Sequence, residues 1–248
     1  MPAVAPTVLS PVTTAAPVAP APLTRDELQQ RLLDGSLAGD ALRAADLSGV
    51  SLVNADLQGR DLRGARLAGA NLVGARLQGA FLDQADLTGA TLRGADLENA
   101  SLLGARLGGA DLGKASLRHA SLASVEAEGA RFGGADLTRS RAARGRFIRA
   151  RFDGARLDQA EWPEAVLDGA RLVDAFLCRA DVSKGSFVRA NLTRADLREA
   201  TMPGARFEGA LCDAAAFDRA DLTGADLVGA HLNQGALVRA RTTGAKLR

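Results

Sequence analysis

The sequence predicts an all-β solenoid with a short α-helix at its N-terminal end. From Ala70 to Ala120 a leucine returns every fifth residue with an alanine two places before it, as in Ala85-Asp86-Leu87-Thr88-Gly89. The five-residue frame extends without a slip from Leu37 to Leu247, 43 units in all. A period of five fits neither the roughly 3.6-residue turn of an α-helix nor the roughly two-residue repeat of a strand, so units that cannot bury an apolar face alone must stack on one another. Aromatic residues make up 4% of the chain, Tyr is absent and there are 27 glycines, which suits a narrow interior better than a globular core.

Residues 1–22, MPAVAPTVLSPVTTAAPVAPAP, are uncharged and broken by prolines, and read as a disordered tail or an extended tether. They lack a basic leading region and make a poor secretory signal. A capping segment follows over 23–36, with a helix predicted at 24–34. Thr24 as N-cap and Glu27 three places on form a capping box, Leu23 and Leu28 have the spacing of a hydrophobic staple, and Gly35 supplies the stop. Leu28, Leu32 and Leu33 fall on one side, so the helix is expected to cover the open apolar end of the first coil. No run of 18 apolar residues exists, which argues against a transmembrane helix and a membrane partner.

Residues 37–248 form one repeat domain, and here the motifs Ala70-Asn71-Leu72, Ala85-Asp86-Leu87-Thr88-Gly89, Ala95-Asp96-Leu97 and Ala220-Asp221-Leu222-Thr223-Gly224 resemble those of the pentapeptide-repeat proteins. The resemblance implies a right-handed quadrilateral parallel β-helix in which four units make one coil. The central Leu or Phe and the preceding Ala then point inward and the other three positions face solvent. At four units per coil the chain makes about ten to eleven coils, a rod roughly 50 Å long at the ~4.8 Å strand spacing. Units twenty residues apart stack, which places Phe132 near Phe152 and Phe187 near Phe207. It also sets small Ala127 against Phe147 and small Ala142 against Trp162, the volume compensation that dense interiors require.

No enzyme motif survives scrutiny. Gly108, Gly113 and Lys114 nearly spell a phosphate-binding loop, but Ala115 stands where a Ser or Thr is needed and the strand–loop–helix context is missing. The recurrent aspartates, among them Asp46, Asp86, Asp136 and Asp221, all precede a central residue, which a structural role in each turn explains. His119 and His231 lie about five coils apart and cannot share a metal. Cys212 is an inward position and Cys178 an outward one, so both are expected to be free thiols, as in a reducing cytoplasm. Neither a catalytic residue nor a cofactor or metal site is expected.

Charge is balanced overall at +2, yet residues 130–248 carry 20 basic against 15 acidic residues. Arg139, Arg141, Arg144, Arg146, Arg149 and Arg151 cluster where the repeat is least regular, with Ser140 and Gly145 replacing inward alanines. Two readings stand for this arginine collar: a site for phosphates or an acidic partner, or a solvated belt paired with Asp153, Asp158, Glu161 and Glu164. Ile148, Val166 and Val188 share a face next to the collar and are read as a strip of partner surface. Phe81 with Leu103, and Val53 with Val73, also share faces, while Phe176 and Leu211 stand alone.

The last coil has no covering helix, so Leu237 and Leu247 are read as the contact of a homodimer. These features point to a non-catalytic scaffold or adaptor for an unidentified protein partner in a bacterial assembly. The stretch LTRDELQQRLLDG adds a resemblance to accessory proteins of contact-dependent secretion. Relatives that imitate DNA and protect DNA gyrase from topoisomerase poisons have strongly acidic surfaces, so balanced charge makes that role the alternative. Direct nucleic-acid binding has little counterion-release drive at this charge.

Overall fold

The computed structural model describes residues 24–33, 42–235 and 237–246, the side chains of Arg25, Leu28 and Leu33 excepted. One unit, Asp86 to Ala90, contains the rule for the rest. Asp86 forms a parallel bridge to Arg66 in the coil before and Arg106 in the coil after. Its N–H donates to the Ala65 carbonyl at 2.9 Å, the Leu87 N–H to Arg106 at 2.7 Å and the Gly89 N–H to Gly108 at 2.9 Å. Ala90 closes the turn by donating to the Leu87 carbonyl at 2.9 Å. The remaining donor, the Thr88 N–H, is taken by the Asp86 carboxylate at 3.1 Å. All five backbone donors are satisfied, three by neighbouring coils and two within the turn, as buried backbone demands.

That accounting explains the aspartates. Asp46, Asp56, Asp96, Asp136, Asp181 and Asp221 each accept the N–H two residues later in the same way. Where the first position lacks such a side chain, an aspartate one coil earlier can serve: Asp83 accepts from Leu103, and Asp168 from Val188. The residue ending each turn has a positive φ, +66° at Gly89, which a type II turn requires at its third residue. Arg, Lys, Gln and Glu also occupy this conformation, as at Arg144 (58°) and Glu164 (59°).

Bridges repeat at twenty-residue intervals from Asp46–Arg66 to Asp226–Lys246. Among the described residues each side of a coil contributes a single bridged residue and not an extended strand, because turn residues take up the remainder of every unit. Central residues and closing alanines are buried in one continuous core. Phe132 stacks on Phe152 at 4.7 Å and Phe187 on Phe207 at 4.9 Å, near the coil spacing. Trp162 is fully buried and stacks on Phe147 at 4.4 Å, while Ala127 and Ala142 are sealed beside these rings. The breaks at Ser140 and Gly145 serve this packing. The Trp162 indole N–H donates to the buried Ser140 hydroxyl at 3.0 Å. A Cβ on Gly145 would come within 2.6 Å of the Phe147 ring.

The helix α1 spans Arg25–Leu33. Thr24 and Glu27 form the expected capping box: the Thr24 N–H donates to the Glu27 carboxylate at 2.8 Å, and the Glu27 N–H to the Thr24 hydroxyl at 3.3 Å. Leu32 is 7% exposed and belongs to the same apolar cluster as Leu42 and Leu47. The expectations for the tail 1–22, Leu23, Gly35, Leu37 and Leu247, and for the side chains of Leu28 and Leu33, lie outside the described residues.

Three predictions follow from these turns and this core. Gly89→Ala has open space for its methyl group, so its cost is the left-handed backbone alone, about 1 kcal/mol in urea unfolding. Ser140→Ala orphans a buried indole donor and should cost about 1–3 kcal/mol by the same measurement. The Arg63 guanidinium lowers the Asp61 carboxyl to about 2, and the Thr88 and Thr223 hydroxyls lower Asp86 and Asp221. A depressed folded value means that the stabilisation is present above the unfolded value of about 3.9 and lost as pH falls through the folded one. Urea midpoints should therefore hold level down to about pH 5 and decline between about pH 4 and 2.

Candidate interaction surfaces

The collar wraps the rod because successive units turn successive corners. Arg139 lies on one face, Arg141 and Arg144 on the next, Arg146 and Arg149 on the third and Arg151 on the fourth, and all six are exposed. Most of them meet a partner within the rod. Arg141 pairs with Glu161 at 3.3 Å, Arg144 with Glu164 at 3.0 Å and Arg151 with Asp153 at 3.5 Å. Arg149 reaches Glu128 at 3.8 Å, and Arg139 donates to the Gln159 amide oxygen at 2.9 Å. Arg146 meets no carboxylate among the described residues, and with Arg106, Glu126, Glu128 and Ile148 it borders a shallow depression over Gly108. Such exposed pairs contribute at most about 1 kcal/mol each, so they can be exchanged for a partner's groups at little cost.

Ile148, Val166 and Val188 do share a face, Val166 being bridged between Arg146 and Ser186. All three are half-buried between the coils on either side. Phe81, Leu103 and Phe176 protrude further, each 46% exposed. The Arg63 guanidinium lies 5.7 Å from the Phe81 ring centroid. Beyond Phe81 the same face continues through Ser101, Leu103, Ser121, Ala123 and Ala143, with the Asp83 carboxylate among them accepting from the Ser101 hydroxyl and the Leu103 N–H. Members of this face on neighbouring coils stand 18 to 22 residues apart, a signal present in the sequence once residues are sorted by face.

Near the C-terminal end Leu237 is 38% exposed and Val238, an outward residue the sequence reading passed over, 63%. Both cysteines are free; burial pushes the Cys212 thiol up to about 12 and also raises Cys178. Among the described residues no group of three His, Cys, Asp or Glu is arranged to hold a metal ion. No described helix is long and apolar enough to cross a membrane.

This geometry has counterparts among known proteins. HetL from the cyanobacterium Nostoc sp. strain PCC 7120, a pentapeptide repeat protein involved in heterocyst differentiation regulation, is 29% identical, with a TM-score of 0.52 over 89% of this chain and 95% of that one. QnrB1, a plasmid-mediated fluoroquinolone resistance protein, is 20% identical at a TM-score of 0.44 over 83% and 90%. A pentapeptide repeat protein from the Arabidopsis thaliana thylakoid lumen is 23% identical at 0.31 over 52% and 69%. A search of curated protein sequences finds no match. Pentapeptide repeats are matched in eight copies within residues 42–139 and 146–248. The chain therefore belongs to the pentapeptide-repeat family, whose members fold as right-handed quadrilateral β-helices.

Proposed function

We propose that the protein is a non-catalytic scaffold that holds a protein partner along its outer faces, as part of a bacterial assembly in the cytoplasm. In this reading the rod has about ten to eleven coils, and α1 covers its N-terminal end through Leu32. The observation that carries the proposal is the division of labour within the five-residue unit. Two positions are spent on the core and the backbone is largely satisfied by the coils themselves, so chemistry is left to exposed side chains on nearly flat faces. Such a surface suits contact with another macromolecule better than enclosure of a small substrate. The regulatory involvement of HetL, similar over most of its length, supports an interaction role.

The collar and the neighbouring Ile148, Val166 and Val188 form the proposed partner surface, with Arg146 as its uncommitted cation. Leu237 and Val238 would meet a second copy. Gyrase binding by imitation of DNA is the less favoured role, because the exposed arginines would face a basic saddle with charge of the same sign.

The test is recovery of partners from a bacterial lysate with the wild type and with Arg144, Arg146 and Arg149 all changed to Glu. Glu already occupies the turn-ending conformation of Arg144 and Arg149 at Glu164 and Glu199, and a bridged position like that of Arg146 at Glu126 and Glu161, so the variant should fold, which circular dichroism checks. Partner recovery is expected to drop about tenfold, and undiminished recovery would remove the collar from the interface. A gyrase supercoiling assay completes the comparison: inhibition or drug protection at micromolar protein would favour the DNA-imitating role. A monomeric mass at micromolar concentration would exclude the second copy.

A further inference from the structure

Charge along the rod is usually cancelled from coil to coil. On one face the bridged column Asp46, Arg66, Asp86, Arg106, Glu126, Arg146 alternates in sign at every step, and Arg66 and Arg106 each pair with the aspartate one coil back. The next face departs from this rule. Arg131, Arg151 and Arg171 are bridged in succession, placing like charges opposite one another, an arrangement that destabilises a sheet. Asp153 serves both Arg171 at 2.5 Å and Arg151 at 3.5 Å. Arg131 pairs with no described carboxylate, and neither does Lys114 in the coil before it.

The surface is hollowed at the same place. The third position on this face carries Val53, Val73 and Arg93, then Gly113 and Gly133, then Asp153. The two glycines leave a shallow depression bordered by Arg93, Lys114, Arg131, Arg151, Asp111 and Asp153. Asp111 is already engaged, by Arg93 at 3.4 Å and by the Gly113 N–H at 3.0 Å. Four cations against two carboxylates leave a surplus of two positive charges. The stem of Lys114 lies along this face, since a Cβ on Gly134 would meet its Cγ at 3.7 Å.

The backbone supplies a further donor. In the turn at Asp136 a carboxylate oxygen accepts the Thr138 N–H at 3.0 Å, but at Gly133 the residue two before is Arg131 and the residue one coil earlier is Gly113. The Gly133 N–H has no acceptor among the described residues. Other turns without a first-position aspartate share that free donor, but this one opens into a depression with two uncommitted cations.

We propose that this depression binds a single phosphoryl dianion, one oxygen accepting from the Gly133 N–H where an aspartate oxygen sits in other turns, and the others meeting Arg131 and Lys114. A phosphate monoester carries about −1.5 to −2 charges at neutral pH, matching the surplus. The guanidinium fork suits its geometry. Continuous nucleic acid fits poorly, because Asp111 and Asp153 bracket the site and would face its closely spaced phosphates. The depression shares Arg151 with the collar, whereas Arg144, Arg146 and Arg149, the residues changed in the collar variant, lie on other faces.

Isothermal titration of the full chain at fixed ionic strength provides the test, with inorganic phosphate, a phosphoserine peptide and the same peptide carrying Glu as probes. One-to-one binding of phosphate is expected, weakened at least about tenfold by Lys114→Gln with Arg131→Gln, since each removes a charge-assisted bond. Gly133→Glu should abolish it by placing a carboxylate in the hollow, while the triple collar variant should bind as the wild type does. Far-ultraviolet circular dichroism checks that each variant is folded. A phosphoserine peptide binding more tightly than phosphate would identify a phosphorylated chain segment as the source, and equal affinities the free anion. Absence of saturable phosphate binding, unchanged affinity in the charge variants, or equal binding of the Glu peptide would overturn the proposal.

Discussion

One residue in five must hold a positive φ, and the rod depends on it. That conformation closes the turn, returns the closing alanine to the interior and sets the next bridge in register with the coil before it. Glycine adopts it freely, as at Gly89, whereas residues such as Arg144 and Lys184 take it at a cost of about 1 kcal/mol. From residue 139 to 199 glycine holds the position only at Gly154 and Gly169. Charged side chains there extend from the corners of the rod, so this segment gives up backbone ease for surface chemistry.

With the corners fixed, the hydrogen-bond ladder divides the remaining positions strictly. Inward positions compete for volume: Ser140 and Gly145 exist because Trp162 and Phe147 need a hydroxyl and a gap. Outward positions first serve the backbone, which is why so many of them are aspartate. What is left over, the side chains of Leu103 and Ala123 and the uncommitted cations Arg131 and Lys114, is free of both duties. Surplus of this kind is where binding selectivity can reside, because removing it costs the fold little.

Much of this was legible in the sequence, because a five-residue period without a slip leaves little choice for the inward leucines and alanines. The capping box at Thr24 and Glu27 and the stacked pairs Phe132–Phe152 and Phe187–Phe207 were legible for the same reason, each resting on a fixed spacing. The contact of Trp162 with Phe147 was not, since the two lie fifteen residues apart and meet across columns through the reach of their rings. Ser140 and Gly145 looked like loosened repeat and are instead fitted to those rings. The strip Ile148, Val166 and Val188 sits lower than expected, because exposure depends on the side chains of the coils stacked on either side. The hollow at Gly133 escaped notice because it is defined by what its neighbours lack, and ion pairs form within one unit, as in Arg63–Asp61, or 18 to 21 residues apart, as in Arg171–Asp153 and Arg144–Glu164.

The aromatic stack also divides the rod unevenly. Phe132, Phe147, Phe152 and Trp162 lock neighbouring coils together through ring contacts, whereas every buried side chain from Leu42 to Val125 is aliphatic. In a stack where each coil touches only its neighbours, stability is a chain of local couplings, and the strongest links here lie in the middle. Thermal fraying then advances inward from both ends and halts at this girdle. Trp162, the single tryptophan, sits inside it. Its fluorescence is accordingly a late witness, silent while the ends open and changing only when the last cooperative segment gives way.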